Sequence, residues 1–225
     1  MWSCCYDGVS IQNKRNCNMD SLLLKERSVC GQNVYLVVIC DGVGSMKDGA
    51  VASSMAVHCL GKWLDGVTSL HRIGLCLQDQ VLEAHQHIVE EIRVQGLRTA
   101  STLSALLLTE GRYYLVHTGD SRIYIWRDGC LEQLTYDQIS EGKLTACLGH
   151  MDAPLLIYNE GVCCKSKFLL CSDGLYKRMD MEYLRHEMSE LKVRHLKRTA
   201  KRLIHYVVGR GENDNITLAF VICET

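Results

Sequence analysis

At 225 residues, with 25 Lys and Arg against 26 Asp and Glu, the chain is close to neutral. No strong global field therefore draws it to nucleic acid or to an anionic membrane. The length suits one large domain or two small ones and can bury a substantial core, while no apolar run is long enough to span a bilayer.

Residues 2–11, 20–24 and 34–40 are strand candidates, and Asn13-Lys14-Arg15-Asn16 is polar enough for a turn between the first two. After Gly49 the period changes. Val51, Met55, Cys59 and Trp63 fall on one helical face, and Gly66 closes it. Leu70, Ile73, Leu77, Val81, Ala84, Ile88 and Ile92 mark a longer helix that ends near Gly96. Residues 102–109 and 112–118 flank Glu110-Gly111, a two-residue turn that suits a hairpin. A strand at 121–126 follows, then a turn at Arg127-Asp128-Gly129, and 144–159 reads as mostly irregular.

The apolar runs at 166–171 and 216–223 are typical of buried strands, and between them 181–191 and 193–208 read as helices. Strands cluster, then helices, then strands, without βαβ alternation. That order predicts an α+β domain with an antiparallel sheet core and helices packed outside. No linker divides it, so residues 1–225 are expected to form a single domain.

Thirteen cysteines are scattered, with adjacent pairs at Cys4-Cys5 and Cys163-Cys164 but no C-x-x-C. Zinc spacing is absent. Cys40, Cys147, Cys171 and Cys223 lie in apolar runs, where a thiol behaves as a small hydrophobe. The start, MWSCCYDGVSIQNKR, lacks the basic region and long apolar stretch of a secretory signal. A reducing cytoplasm is the expected location. Lys192, Arg194, Lys197, Arg198, Lys201 and Arg202 flank Val193, Leu196, Ala200 and Leu203. This reads as the solvated face of an amphipathic helix, with an acidic partner or nucleic acid as the alternative. His58 reads as a helix residue, His117 as a packed strand residue, and His150 as a possible neighbour of the site.

One feature recurs. Asp41 ends Val37-Val38-Ile39-Cys40 and precedes Gly42; Asp173 follows Leu169-Leu170-Cys171-Ser172 and precedes Gly174. Asp120 follows Thr118-Gly119, and Asp214 stands just before the apolar run at 216–222. A single Asp-Gly is a common turn dipeptide. Several carboxylates gathered at one end of a sheet would repel one another, however, unless a hard divalent cation sat among them. Mg²⁺ or Mn²⁺, bound by oxygen alone, suits such a set.

Eight motifs then fall in the order and spacing of a known family. Arg15-x-x-Asn18-x-Asp20-Ser21, Cys40-Asp41-Gly42-Val43-Gly44, Ala100-Ser101-Thr102-Leu103 and Thr118-Gly119-Asp120-Ser121-Arg122 are the first four. Leu134-Thr135-Tyr136-Asp137-Gln138, Leu144-Thr145-Ala146-Cys147-Leu148-Gly149, Ser172-Asp173-Gly174-Leu175 and Asp214-Asn215-Ile216-Thr217 complete the set. The chain resembles, over nearly its whole length, the bacterial branch of the metal-dependent serine/threonine protein phosphatases of type 2C.

The resemblance implies a central antiparallel β-sandwich flanked by helices on both faces, in α-β-β-α layers. It implies that Asp41 bridges two metals, that Asp173 and Asp214 hold the first, and that the Gly42 carbonyl and a water held by Asp20 serve the second. Asp120, with Asp173, would face a third and weaker metal, and Arg15 would grip the phosphate. Arg15 and Asp41 are thus the expected catalytic residues. The expected ions are Mn²⁺ or Mg²⁺, acting on a phosphorylated protein substrate within a Ser/Thr kinase system. A monomer with no nucleic-acid or membrane partner is expected.

Two metals about 4 Å apart activate water and neutralise phosphoryl oxygens, so no covalent enzyme intermediate is needed. A cysteine phosphatase would need arginine six residues after its nucleophile; six after Cys171 stands Lys177. Three departures from the family pattern remain: Met19 before Asp20, Ser45-Met46 where a histidine is common, and Lys177 where an aspartate is common. An acid at the histidine position would protonate the leaving oxygen, a contribution of roughly 10²–10⁴-fold. The altered loop at Asp41–Gly49 and Lys177 motivate a rival reading, a catalytically weak module that binds phosphoproteins without turning them over.

Overall fold

Apolar runs that are hydrophobic on both faces of a strand must be covered on both sides, and the computed structural model shows how this chain covers them. It describes residues 2–150 and 154–224. The chain opens with β1 (Ser3–Ile11), β2 (Ser21–Val29) and β3 (Gln32–Cys40), then α1 (Gly49–Gly66) and α2 (Ile73–Gln95). Next come β4 (Leu103–Thr109), β5 (Arg112–Thr118), β6 (Arg122–Arg127) and β7 (Cys130–Gln133), with a small hairpin of β8 (Ile139–Ser140) and β9 (Lys143–Leu144). β10 (Ile157–Val162) and β11 (Lys167–Cys171) lead to α3 (Asp173–Tyr176) and α4 (Met181–Ser189). A single 3-10 turn (Val193–His195), α5 (Leu196–Gly209) and β12 (Ile216–Glu224) finish the fold.

The strands form two antiparallel sheets, ordered β1-β12-β11-β6-β7 and β10-β5-β4-β3-β2. Their inner faces meet through Tyr35, Val37, Ile39, Leu106 and Leu115 on one side and Ile125, Phe168, Leu170, Ala219 and Val221 on the other. The alternate residues Leu36, Val38, Leu107 and Val116 point outward onto α1 and α2, against Leu60, Leu64, Leu77 and Ile88. On the far side Leu169, Leu218 and Phe220 pack on Leu184, Met188, Leu203 and Val207 of α4 and α5. The result is the expected α-β-β-α layering. The Glu110-Gly111 turn joins β4 to β5 with both residues at positive φ (47° and 76°), the conformation a two-residue hairpin requires.

Four stretches differ from expectation. Residues 13–16 do not turn one strand back onto the next, because β1 and β2 lie in different sheets and the loop crosses the end of the sandwich. Residues 157–159, at the end of the stretch expected to be irregular, open the edge strand β10 (Ile157–Val162) on β5. Its sequence, IYNEGV, is half-exposed and lacks the apolar alternation of a covered strand. Residues 151–153 of that stretch lie outside the described residues. The short strand β7 pairs with β6 beyond the Asp128-Gly129 turn. Finally, the helix expected at 193–208 begins as a 3-10 turn and becomes α-helical only at Leu196.

Phe168 is fully buried where the two sheets face each other, edge-on to Tyr113 at 5.5 Å between ring centroids. Phe168→Ala is expected to lower unfolding stability by about 3–5 kcal/mol, read from urea denaturation with an unchanged m-value.

Candidate active site

Asp41 stands one residue beyond β3, and its backbone is clamped from several directions. Its N–H donates to Thr102 Oγ1 at 2.9 Å, while its carbonyl accepts from Thr102 N–H at 2.9 Å and Ser101 Oγ at 3.0 Å. Thr102 Oγ1 is held in turn by Ser121 Oγ at 2.8 Å. Gly42 must be glycine for a local reason: an added Cβ would lie 2.4 Å from the Gly49 carbonyl oxygen and 2.7 Å from that of Met19. Gly174 is as confined, its Cβ position falling 2.0 Å from the Asn215 carbonyl oxygen. These glycines allow neighbouring backbone to close on the aspartates.

Asp20 is buried, and its Oδ2 accepts from Ser172 Oγ at 2.8 Å and Thr217 Oγ1 at 2.6 Å. Ser172 Oγ also accepts the Thr217 N–H at 3.0 Å. One carboxylate therefore ties the loop before β2 to the ends of β11 and β12 in the other sheet. Asparagines stitch the rest of that loop. Asn13 Nδ2 donates to the Asp214 carbonyl at 2.9 Å, and Asn215 Nδ2 donates to the carbonyls of Gln12 and Cys17, both at 2.9 Å. Met19 N–H returns a bond to Asn215 Oδ1 at 2.9 Å. Arg15, exposed on this loop, forks onto Asp214 with Nε–Oδ1 at 2.8 Å and Nη2–Oδ2 at 2.6 Å. Lys177 Nζ makes an ion pair with Asp173 Oδ2 one helical turn away.

Asp120 sits between β5 and β6. Tyr176 reaches it, with its hydroxyl 3.5 Å from Oδ2, and the Arg122 guanidinium lies over the Tyr176 ring at 3.6 Å. Arg122 is itself fixed by a fork onto Asp137 at 2.9 and 2.6 Å and by Tyr124 Oη at 3.0 Å. The sequence motifs contained Arg122 and Asp137 without revealing this pairing. Tyr176, three residues after Asp173, carried no signal. Neither did the grip of Ser172 and Thr217 on Asp20, although a hydroxyl at the end of an apolar strand is the cue that could have found it.

The five carboxylates lie within one another's fields. Burial first, then the charges of Asp20, Asp173, Asp120 and Asp214, push the Asp41 carboxyl well above the usual carboxylate range. Burial also raises Asp20 to about 6, with Asp173 adding to it and the Thr217 and Ser172 hydroxyls working the other way. Asp120 rises to about 6 through burial and then Asp173, against the pull of Lys177. Asp214 alone is held low: burial would raise it, but the Arg15 fork and the Asn215 N–H outweigh that.

Among the described residues, no three His, Cys, Asp or Glu side chains close into a cage for one ion. The reason is visible in the pairings, since Asp173 is turned to Lys177 and Asp214 to Arg15. The donor chemistry nonetheless fits a hard divalent cation: every candidate ligand is an oxygen, and the mutual repulsion of the carboxylates is what such an ion relieves.

Residues 8–206 match the family profile of protein phosphatase 2C. The chain belongs to that family. It is 30% identical over 207 residues to the serine/threonine protein phosphatase PstP of Mycobacterium tuberculosis, a match covering 81% of this chain and 39% of the relative. The chain thus spans about two fifths of the length of that mycobacterial phosphatase. To the serine/threonine phosphatase Stp of Listeria monocytogenes it is 30% identical over 217 residues, 84% of each chain. Among solved structures, the catalytic domain of PstP in complex with two manganese ions superposes with a TM-score of 0.81 at 26% identity, covering 100% of both chains. PppA of Pseudomonas aeruginosa, a regulatory component of the type VI secretion system, gives a TM-score of 0.82 at 26% identity, covering 98% of this chain and 97% of PppA.

His58 is exposed on α1, and burial first, then the nearby charge of His150, holds His85 of α2 below its ordinary value. His117 is packed, with Nδ1 2.9 Å from Ser104 Oγ and Nε2 3.1 Å from the Gly119 carbonyl, just before Asp120. Burial drives His117 down from 6.5 to about 4. A depressed folded value means that its contribution is complete above about 6.5 and is lost as pH falls toward 4. At roughly 1.4 kcal/mol per unit the loss comes to about 3 kcal/mol. Between pH 6.5 and 4, the stability difference between wild type and His117→Gln is expected to shift by that amount in favour of the variant. Urea midpoints measured with a chelator present read it.

Proposed function

We propose that residues 1–225 act as one Mn²⁺- or Mg²⁺-dependent protein phosphatase, which hydrolyses phosphoserine and phosphothreonine in proteins. The observation that carries this reading is the convergence of Asp20, Asp120, Asp173 and Asp214 on Asp41, whose charges add to burial in pushing that carboxyl well above its ordinary value. Family membership and the two manganese ions of the PstP catalytic domain support it. Asp41, Asp173, Asp214 and the Gly42 carbonyl are the proposed ligands of the ion pair, with Asp20 steadying the second site and Asp120 facing a weaker third.

When bound, such ions neutralise phosphoryl charge and make water a competent nucleophile near neutral pH. The chain supplies the remainder. Arg15 offers a planar fork, and its exposed position lets it exchange Asp214 for two phosphate oxygens of the substrate. Asp20, anchored by Ser172 and Thr217, keeps the loop carrying Arg15 registered on both sheets. The Arg122–Tyr176 stack positions Asp120. Cysteine chemistry is excluded in practice, because burial lifts the Cys171 thiol to about 12 and the residue six further on is Lys177. The enzyme is a cytoplasmic monomer opposing a Ser/Thr kinase. No helix among the described residues is long and apolar enough to cross a membrane.

A second reading, phosphoprotein binding without turnover, is favoured by the Lys177–Asp173 ion pair and by Ser45-Met46. Calorimetry with Mn²⁺ alongside turnover separates the two, since tight metal binding with no hydrolysis favours the binding module. Purified protein is expected to hydrolyse p-nitrophenyl phosphate and a phosphothreonine peptide with Mn²⁺, and Asp173→Asn to remove more than the roughly 10–100-fold that outer-shell changes cost. Equal activity after exhaustive EDTA treatment would falsify the proposal.

Lys177→Gln removes the cation paired with Asp173. It is expected to tighten Mn²⁺ binding several-fold by calorimetry; unchanged or weaker binding would mean that Lys177 does not compete with the metal.

A further inference from the structure

The long strand β1 is the edge of its sheet, with β12 on one side only. Gly8 N–H does not enter the ladder. It is taken by its neighbour, Asp7 Oδ1, at 3.0 Å. In an antiparallel ladder alternate residues share an orientation, so Cys4 and Tyr6 also direct their backbone N–H and C=O off the free edge. Beside this edge runs α5. Between them lies a cavity of about 240 Å³ with an apolar floor of Val9, Leu196, Ala200, Ile204 and Phe220. It adjoins a wider one of about 530 Å³ between Cys4–Asp7 and the 3-10 turn.

The rim of this groove is basic apart from Asp7, which lines both cavities. Lys192, Arg194, Lys197, Arg198 and Lys201 are all exposed, and none makes an ion pair among the described residues. Desolvation first, then the charges of Arg194, Arg198, Lys192 and Arg202, hold His195 below its ordinary value. The other long edge, β2, is different. Its Lys25 is engaged with Asp65 and the Gly61 carbonyl, and its Arg27 with the Leu64 carbonyl. Of the two edges, β1 is the one that combines free backbone groups, an apolar trough and uncompensated cations.

We propose that this edge is a docking groove for an extended acidic segment of a partner protein. The segment adds a strand to β1, seats an apolar side chain over Leu196, Ala200 and Ile204, and sets carboxylates against Arg194, Lys197 and Lys201. About six residues, at roughly 3.3 Å each, cover the trough from Cys4 to Val9. A carbonyl of the incoming strand replaces Asp7 at Gly8 N–H. Charge complementarity selects this occupant. A second copy of the chain, docking through the same face, would bring like cations together. Nucleic acid would satisfy the cations but leave the strand edge and the apolar floor unused.

The test uses a fluorescein-labelled nine-residue peptide alternating Glu and Leu, and its counterpart alternating Lys and Leu. Anisotropy is expected to show saturable binding of the acidic peptide alone, weakened at least tenfold in Lys197→Glu/Lys201→Glu. Amide hydrogen exchange is expected to slow at residues 4–9 on binding. Turnover of p-nitrophenyl phosphate and the thermal melt of the double variant report its folding, and Arg194→Glu, expected to weaken binding several-fold, serves if the double variant unfolds. The inference is overturned by any of several results: no saturable binding of the acidic peptide, equal binding of the lysine peptide, or protection that maps elsewhere. It also fails if a single-stranded RNA oligomer binds these residues more tightly than the peptide, or if sedimentation shows a dimer whose β1 edge is protected without peptide. None of these outcomes depends on metal binding or catalysis.

Discussion

Like charges gathered in a low-dielectric site repel, and the end of this sandwich is arranged around that repulsion. Asp41 bears most of it, being half-buried and facing four other carboxylates. Its side chain shares a hydrogen bond with Asp20, and the surrounding backbone holds the turn in place. Thr102, Ser101 and the Met19 carbonyl, which accepts the Gly42 N–H at 3.2 Å, fix the turn from both sides. Three of the carboxylates have a partner outside the cluster, hydroxyls for Asp20 and cations for Asp173 and Asp214.

The convergence is a consequence of antiparallel topology. The end of β3 lies beside the start of β2, which places Asp41 and Asp20 together. The end of β11 lies beside the start of β12, which does the same for Asp173 and Asp214. Packing the two sheets face to face then superimposes these pairs, and the β5–β6 connection adds Asp120. Residues separated by most of the chain are thus brought together by strand pairing and sheet packing. Buried hydroxyls such as Ser172 and Thr217 then lock one sheet's loop to the other sheet's strands.

Those strands were legible because they are continuously apolar: residues 34–40, 166–171 and 216–223 must be covered on both faces. The aspartates were legible because they terminate such runs. β10 was not, since IYNEGV is an edge strand whose pairing depends on β5 and not on its own pattern. The separation of β1 from β2 was hidden too, because a polar turn between two strands reads the same whether they pair or part. Arg15 illustrates a different limit. Its presence near the site followed from the motif, but its fork onto Asp214 is a choice among anions that only three dimensions present. At Gly42 and Gly174, beside the aspartates, neighbouring backbone closes in, a demand that the dipeptide alone did not distinguish from an ordinary turn.

A formal net charge of −1 suggested a protein with little field of its own. The fold separates the charges instead. Asp214 precedes the start of β12, whereas the 3-10 turn and the first turn of α5 lie against Cys4–Asp7, which pair with the end of β12. Cys4 to Ile11 spans about 23 Å at strand rise, well beyond the Debye length of about 8 Å at physiological salt. Each pole therefore acts on what approaches it nearly independently. The carboxylate pole repels an approaching anion until its own charge is offset, while the basic edge draws anions toward it. Near neutrality in the sum conceals two opposed surfaces, and it is the topology, by sending the two ends of β12 to opposite poles, that keeps them from cancelling.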